Sequence, residues 1–343
     1  MFSTEMREYS INFNHLKYSF DKLAKQYQSV EGKDIFLVIG TTGSGKSTFI
    51  NYMTGCPLHE KIDERTRSKY IESKVGVKEK IKISHGCSSE TICPEAISSE
   101  KGFNYLECAG FQCRRTFFEE SLSSSILTQL AIQQANSIRG IILLHSPNPD
   151  SSASFYDCFF KGLEKIINIK QYSESLLFVM TKKSDHYKPK HFIHLVKEFA
   201  EAEERGIFCR DTARALVTVV NENNVVTYNP LIESHQSLIA PKIEALKPIP
   251  KAAFSFPIFD EYHAALQKTI LAIANKVDDL SKQQDKNPLK KMLKDNKKLL
   301  DFIHQIATMA NFRSTDINNF IDFYEKNRII EEVSEEKSRC ILL

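Results

Sequence analysis

Long apolar runs are missing from this sequence. None approaches the roughly 20 residues that a membrane-spanning helix needs, and the longest are strand-sized. The start, MFSTEMREYSINFNHLKYSF, has no apolar core of the kind a secretory signal requires. An excess of charge of one sign is also lacking: 46 Lys and Arg face 43 Asp and Glu, a net +3. That balance argues against nucleic acid as the main partner and leaves any basic effect local. The eight cysteines (Cys56, Cys87, Cys93, Cys108, Cys113, Cys158, Cys209 and Cys340) form no Cys-x-x-Cys pair and sit near no histidine cluster. Neither a zinc site nor a dense disulfide framework is expected, and the fold reads as a reducing, cytosolic one. No internal repeat or low-complexity tract interrupts the chain, and its 42% hydrophobic content is ordinary for a globular protein.

What is present divides into three stretches. Ile11, Phe13, Leu16, Tyr18, Phe20 and Leu23 recur at roughly helical spacing and predict an N-terminal helix within residues 1–30. Asp34 to Ile39 then forms a short, almost continuously apolar run, the form of a central parallel strand covered on both faces. Further strands are expected at Val77 to Ile83, Phe103 to Leu106, Gly140 to Leu144, Leu176 to Met180 and Ala215 to Val220, with helices at Phe117 to Ile138 and His191 to Arg205. Alternating strands and helices imply an α/β fold over 31–245, a doubly wound and mostly parallel sheet with its ligand at the carboxyl ends of the strands. Pro248, Pro250 and Pro257 mark a boundary, and apolar residues at steps of three or four from Tyr262 to Leu280, Leu299 to Ile306 and Ile317 to Ile330 predict a helical region over 246–343.

The sharpest motif is Gly40-Thr41-Thr42-Gly43-Ser44-Gly45-Lys46-Ser47, which fits G-x-x-x-x-G-K-S/T. It follows an apolar strand and opens the helical sequence Ser47 to Thr54, which Gly55 and Pro57 terminate. Glycines allow the backbone to fold into an anion nest whose amides point at phosphates, with the helix N-terminus behind it. In such a loop Lys46 reaches the β- and γ-phosphates and the Ser47 hydroxyl ligates Mg²⁺. Residues Gly40 to Thr48 are therefore the candidate nucleotide-binding set.

Downstream, Glu107-Cys108-Ala109-Gly110 follows a strand where an acid can hold Mg²⁺ through water and a glycine amide can sense a γ-phosphate. Together with the phosphate loop, Thr91 in a loop, Phe111 after the glycine, and Val179-Met180-Thr181-Lys182 at a strand end, this arrangement resembles the septin-type and immunity-associated GTPases over roughly residues 34–225. The resemblance implies a G-domain-like P-loop fold with GTP or GDP and Mg²⁺ as ligands, ATP being less favoured. It implies that Lys46, Thr91 and Gly110 act in turnover, and that Ser47, Thr91 and Glu107 serve the metal. It also implies that Thr181, Lys182 and Asp185 correspond to the guanine-recognition box N/T-K-x-D, although the acid falls one place late. No base-stacking box follows Val220, where Asn221-Glu222-Asn223-Asn224 stands. Glu107 replaces the usual Asp, Ala109 a frequent Pro, and Phe111 the Gln with which Ras-like enzymes orient water. Gln112, Arg114 and Arg115 lie close by as substitutes. Slow hydrolysis, or hydrolysis completed by a dimer partner or an activating protein, is the expectation.

The last four residues, Cys340-Ile341-Leu342-Leu343, satisfy C-a-a-X in the form favoured for geranylgeranylation. One prenyl chain needs a second membrane contact, for which Lys286, Lys290, Lys291, Lys294, Lys297 and Lys298 are candidates. The expected location is the cytosol and the cytoplasmic face of a membrane in a eukaryotic cell, either the protein's own or that of a host. Three readings follow: a membrane-tethered switch or assembly GTPase, paired across the nucleotide by family resemblance and acting on an effector; an ATP-binding ATPase or kinase; and a degenerate nucleotide-binding interaction module. Against the second, Gly140 to Leu144 runs into His145-Ser146-Pro147 and not into a Walker-type Asp.

Overall fold

The computed structural model describes residues 28–64, 67, 69–83, 94–108, 118–146, 163, 166–181, 188–201 and 210–254, together with 18, 268, 271–272, 274–275, 277–285, 287–295, 300–301, 304, 321–322 and 324. By internal contacts the chain forms two compact units, 23–257 and 1–22 with 258–343.

In the first unit, strands β1 (Asp34–Gly40), β5 (Asn104–Glu107), β6 (Ser137–His145), β7 (Leu176–Met180) and β8 (Val225–Thr227) run parallel, and β4 (Glu95–Ser98) is antiparallel to β5. Their order across the sheet is β4-β5-β1-β6-β7-β8. Because successive side chains point to opposite faces, the apolar runs supply two cores. Leu37, Ile39, Leu143, Phe178 and Met180 pack against α2 (Phe118–Gln134), α3 (Pro189–Glu201) and α4 (Arg210–Val219), through Ala131, Phe192, Val196 and Leu216. Phe36, Val38, Leu144, Leu177 and Val179 pack on the other face against α1 (Lys46–Met53) and α5 (Ser234–Glu244), through Phe49, Ile50 and Ile243. This is the expected doubly wound, mostly parallel sheet with helices on both faces. From β1 the next parallel strand, β5, lies on one side and β6 on the other, so a crevice opens at the carboxyl end of β1.

Two expected strands are corrected. Ala215 to Val220 is helical up to Val219, because Thr212, Ala213, Leu216 and Val219 are buried at steps of one, three and three, and that period outweighs the β-branched composition. The strand comes later, as β8. Val77 to Ile83 pairs with no strand among the described residues; the Asn51 side chain meets the backbone N–H groups of Lys80 and Ile81 and the Ile81 carbonyl, and the Glu79 carboxylate meets the N–H of Ile83. The strands nearer α1 are instead an antiparallel ribbon, β2 (Leu58–Ile62) and β3 (Lys69–Ser73), whose charged side chains pair as Glu60–Lys69 and Lys61–Glu72. The helix expected to reach Ile138 ends at Gln134, and Ile138 belongs to β6.

In the second unit α6 (Asn287–Asp295) buries Leu289 and Leu293, and Lys291 and Lys294 face outward. Tyr324 donates its hydroxyl to Asp301 at 2.9 Å. Apart from Tyr18 and Gln28–Val30, residues 1–30, the site of the predicted N-terminal helix, lie outside the described residues.

Candidate functional site

β1 runs into the crevice and must turn at once. Gly40 stands opposite Leu144 of β6, so close that a Cβ would lie 2.4 Å from the Leu144 carbonyl oxygen and 2.7 Å from the Ser44 hydroxyl. Only glycine fits. The next residues close a tight turn, Ser44 N–H donating to the Thr41 carbonyl at 3.1 Å with Gly43 at φ 77°. Gly45, at φ 88° and ψ 27°, caps α1 in the left-handed conformation that glycine adopts at no steric cost. A cap without a side chain leaves the first helical N–H groups directed at the crevice, where they suit an anion.

Lys46 is only 6% exposed, and its ammonium donates to the carbonyls of Thr41 at 3.2 Å and Gly40 at 3.4 Å. The positive charge is thus held at the loop itself. Ser47, one residue on, donates its hydroxyl to Glu107 Oε1 at 2.7 Å. Glu107 is 1% exposed and ends β5 opposite Val38, which brings the acid to the same edge as the loop. A hydroxyl and a carboxylate so close form an all-oxygen donor set, which suits a hard cation such as Mg²⁺. Cys108 follows but offers no ligand or nucleophile: burial, opposed by Lys46 and reinforced by Glu107, pushes its thiol up to about 12.

Two hydroxyls of the loop, Thr41 Oγ1 and Ser44 Oγ, are buried and have no hydrogen-bond partner among the described residues. Buried polar atoms are nearly always paired, so an unspent pair within one loop is informative. Thr181, just beyond β7, is spent: its hydroxyl donates to the Ser44 carbonyl at 2.6 Å and its N–H to the His145 carbonyl at 2.8 Å. Thr181 thus ties the Gly40–Ser47 loop to the ends of β6 and β7. Thr42 and Thr48 are half-buried beside it. Thr91, Gly110, Lys182, Asp185 and Cys340, with Phe111, Gln112, Arg114 and Arg115, lie outside the described residues. The strand expected to end at Val220 is instead β8, which is followed by Tyr228-Asn229-Pro230, where the Asn229 side-chain oxygen accepts the Leu231 N–H at 3.0 Å.

Sequence reasoning gave no role to Asn51 or to the His145 side chain. His145 ends β6, fully buried, its ring 5.5 Å from that of Phe192, and burial lowers its pKa from 6.5 to about 4.

No protein-family model matches the chain, and no curated protein matches it significantly. Among solved structures it is similar to Toc33 from Arabidopsis thaliana in complex with Mg²⁺ and GMPPNP, at 13% identity and TM-score 0.39, covering 72% of this chain and 98% of that one. It is also similar to a single-site variant of Aquifex aeolicus Era bound to GDP.AlF4⁻, at 13% identity and TM-score 0.32 over 75% and 70% of the two chains. The G domain of the T. maritima FeoB iron transporter matches at 10% identity and TM-score 0.28 over 62% and 97%.

The buried His145 sets a pH dependence. Between pH 6.5 and about 4 the unfolded chain holds a proton that the folded chain refuses, so stability falls as pH falls through that window. The loss amounts to up to about 3 kcal/mol at the lower end. Urea unfolding of wild type and His145→Gln at pH 7 and 4.5 measures it: the variant is expected to lose less on acidification, and equal losses would contradict the shift.

Proposed function

We propose that the chain binds a guanine nucleoside triphosphate with Mg²⁺ and hydrolyses it slowly, or quickly only with a partner. The observation that carries this reading is the cradle itself: a glycine-capped helix N-terminus, the Lys46 ammonium and the Ser47–Glu107 pair at the carboxyl end of β1. The Thr41 and Ser44 hydroxyls offer two further donors for phosphate oxygens. Ser47 and Glu107 would hold Mg²⁺, which would supply neutralisation of phosphate charge. On nucleotide uptake Lys46 would exchange its neutral carbonyl partners for phosphate, a stronger charge-assisted contact. Guanine is favoured by the resemblance of Thr181 to Asp185 to the guanine box, and slow turnover by Phe111 in place of a water-orienting Gln. The β6 strand ends in His145 where an ATPase of the Walker type places an acid, which weighs against the adenine reading. Thr91 and Gly110 would respond to the γ-phosphate and present a changed surface to an effector, or to a second copy paired across the nucleotide.

We further propose peripheral attachment to a cytoplasmic membrane face through a geranylgeranyl group on Cys340. Because α6 already buries Leu289 and Leu293, its outward Lys291 and Lys294 would add attraction to anionic lipid rather than insertion, about 1 kcal/mol each. Among the described residues no helix is long and apolar enough to cross a membrane.

Calorimetric titration of GTP, GDP and ATP with magnesium tests the nucleotide. The wild type is expected to take up both guanine nucleotides, and Lys46→Ala to bind them about a hundredfold more weakly, as befits a lost charge-assisted contact. Equal affinity for ATP would remove the guanine assignment, and rapid single-turnover cleavage by the monomer would remove the partner requirement. For the tail, the intact mass of protein made in a eukaryotic host should carry the prenyl group on Cys340; an unmodified cysteine defeats the membrane arm.

A further inference from the structure

Asn51 sits in α1 with no exposed surface, and all four of its hydrogen-bonding positions are used. Its Nδ2 donates to the carbonyls of Ser47 at 3.0 Å and Ile81 at 2.6 Å. Its Oδ1 accepts from the N–H groups of Lys80 at 2.8 Å and Ile81 at 3.4 Å. A side-chain amide has two donor hydrogens and two acceptor lone pairs, so the inventory closes. The orientation is dictated by chemistry, since exchanging oxygen and nitrogen would set acceptors against carbonyls and donors against N–H groups. Ile81 is met on both its backbone groups by this one side chain, much as a neighbouring strand would meet it.

Apolar residues of the same helix, Phe49, Ile50 and Met53, fill the core into which Ile81 and Ile83 also pack. An amide in such surroundings is tolerated only when fully paired, and the loss of one partner exposes the desolvation cost of the rest. Its partners lie in two places that matter. Ser47 is the residue whose hydroxyl meets Glu107. Lys80 and Ile81 belong to the last described stretch before the chain reaches Thr91.

Resting on the nucleotide-binding reading above, we propose that Asn51 is a positioning residue: its amide clamps the Lys80–Ile81 backbone to the Ser47 turn, so that magnesium and nucleotide bound at Ser47 tighten that backbone. Coupling of this kind is reciprocal. What occupancy of the metal site does to the clamp, loosening the clamp does to the metal-dependent part of nucleotide affinity, by the same factor.

The test uses the full chain, GDP, and calorimetry with and without magnesium. Asn51→Asp keeps an acceptor for Lys80 and Ile81 but turns a second oxygen against the Ser47 and Ile81 carbonyls; Asn51→Leu removes all four bonds at similar volume. In both, the gain in GDP affinity on adding magnesium is expected to shrink about tenfold, within the usual range of coupling between sites. A variant that merely lost stability would melt earlier and keep the wild-type gain. Hydrogen exchange on the wild type gives an independent readout: the Lys80 and Ile81 amides should exchange more slowly once magnesium and GDP are added, and this decides the matter should both variants fail to fold. Folded variants with an undiminished magnesium gain, or wild-type amides indifferent to magnesium and GDP, overturn the clamp alone. A wild type that takes up no GDP removes the nucleotide reading and the clamp with it.

Discussion

The close approach of Gly40 to the Leu144 carbonyl is the constraint on which the site depends. At that point β1 and β6 are already paired, and the chain has to leave the sheet without a side chain to steer around. The turn that follows is tight because Gly43 and Gly45 both take positive φ, which aims the start of α1 back over the strand end. From this one geometric fact come the open helical N–H groups, the Lys46 ammonium lying on its own loop, and the Ser47 hydroxyl within reach of β5. The sheet contributes rigidity: the strands behind the loop are buried on both faces, and Thr181 ties the loop's Ser44 carbonyl to the end of β7.

Charge is the second constraint. Lys46 and Glu107 are both almost fully buried, a placement that costs several kcal/mol per ion unless each is held by well-directed partners. Among the contacts that hold them are two carbonyls for Lys46 and the Ser47 hydroxyl for Glu107, neutral partners weaker than phosphate and a divalent cation. A site arranged in this way holds its charges at one edge of the sheet, where the proposed ligand would exchange these neutral contacts for stronger ones.

Much of this was legible in the residues. Fully buried parallel strands leave continuous apolar runs, so β1, β6 and β7 stood out, and the glycine spacing of the phosphate loop suits little besides an anion nest at a strand-to-helix turn. The misreadings have physical causes. Val, Ala, Leu and Thr from Ala215 onward have strand-like composition, yet they bury one helical stripe against the sheet, and single-residue preference does not report that packing. Around Ile81 the apolar alternation was real, but the partner proved to be the Asn51 side chain, a long-range pairing that no local pattern encodes. The β2–β3 ribbon escaped notice because its strands intersperse charged with apolar residues and are only partly buried. The position of Thr181 at the end of β7 followed from the strand, whereas its bond to Ser44 depends on how two distant loops meet.

The proposed seat of a polyphosphate is the run of backbone amides from Gly43 to Ser47. Amide proton and nitrogen shifts of the isotope-labelled protein, followed as magnesium and GDP are added, test it most directly. Large downfield movements are predicted for Gly45, Lys46 and Ser47, with smaller ones at Ser44 and Thr181. Saturable nucleotide binding that leaves those amides where they were, with the changes elsewhere in the chain, would contradict it.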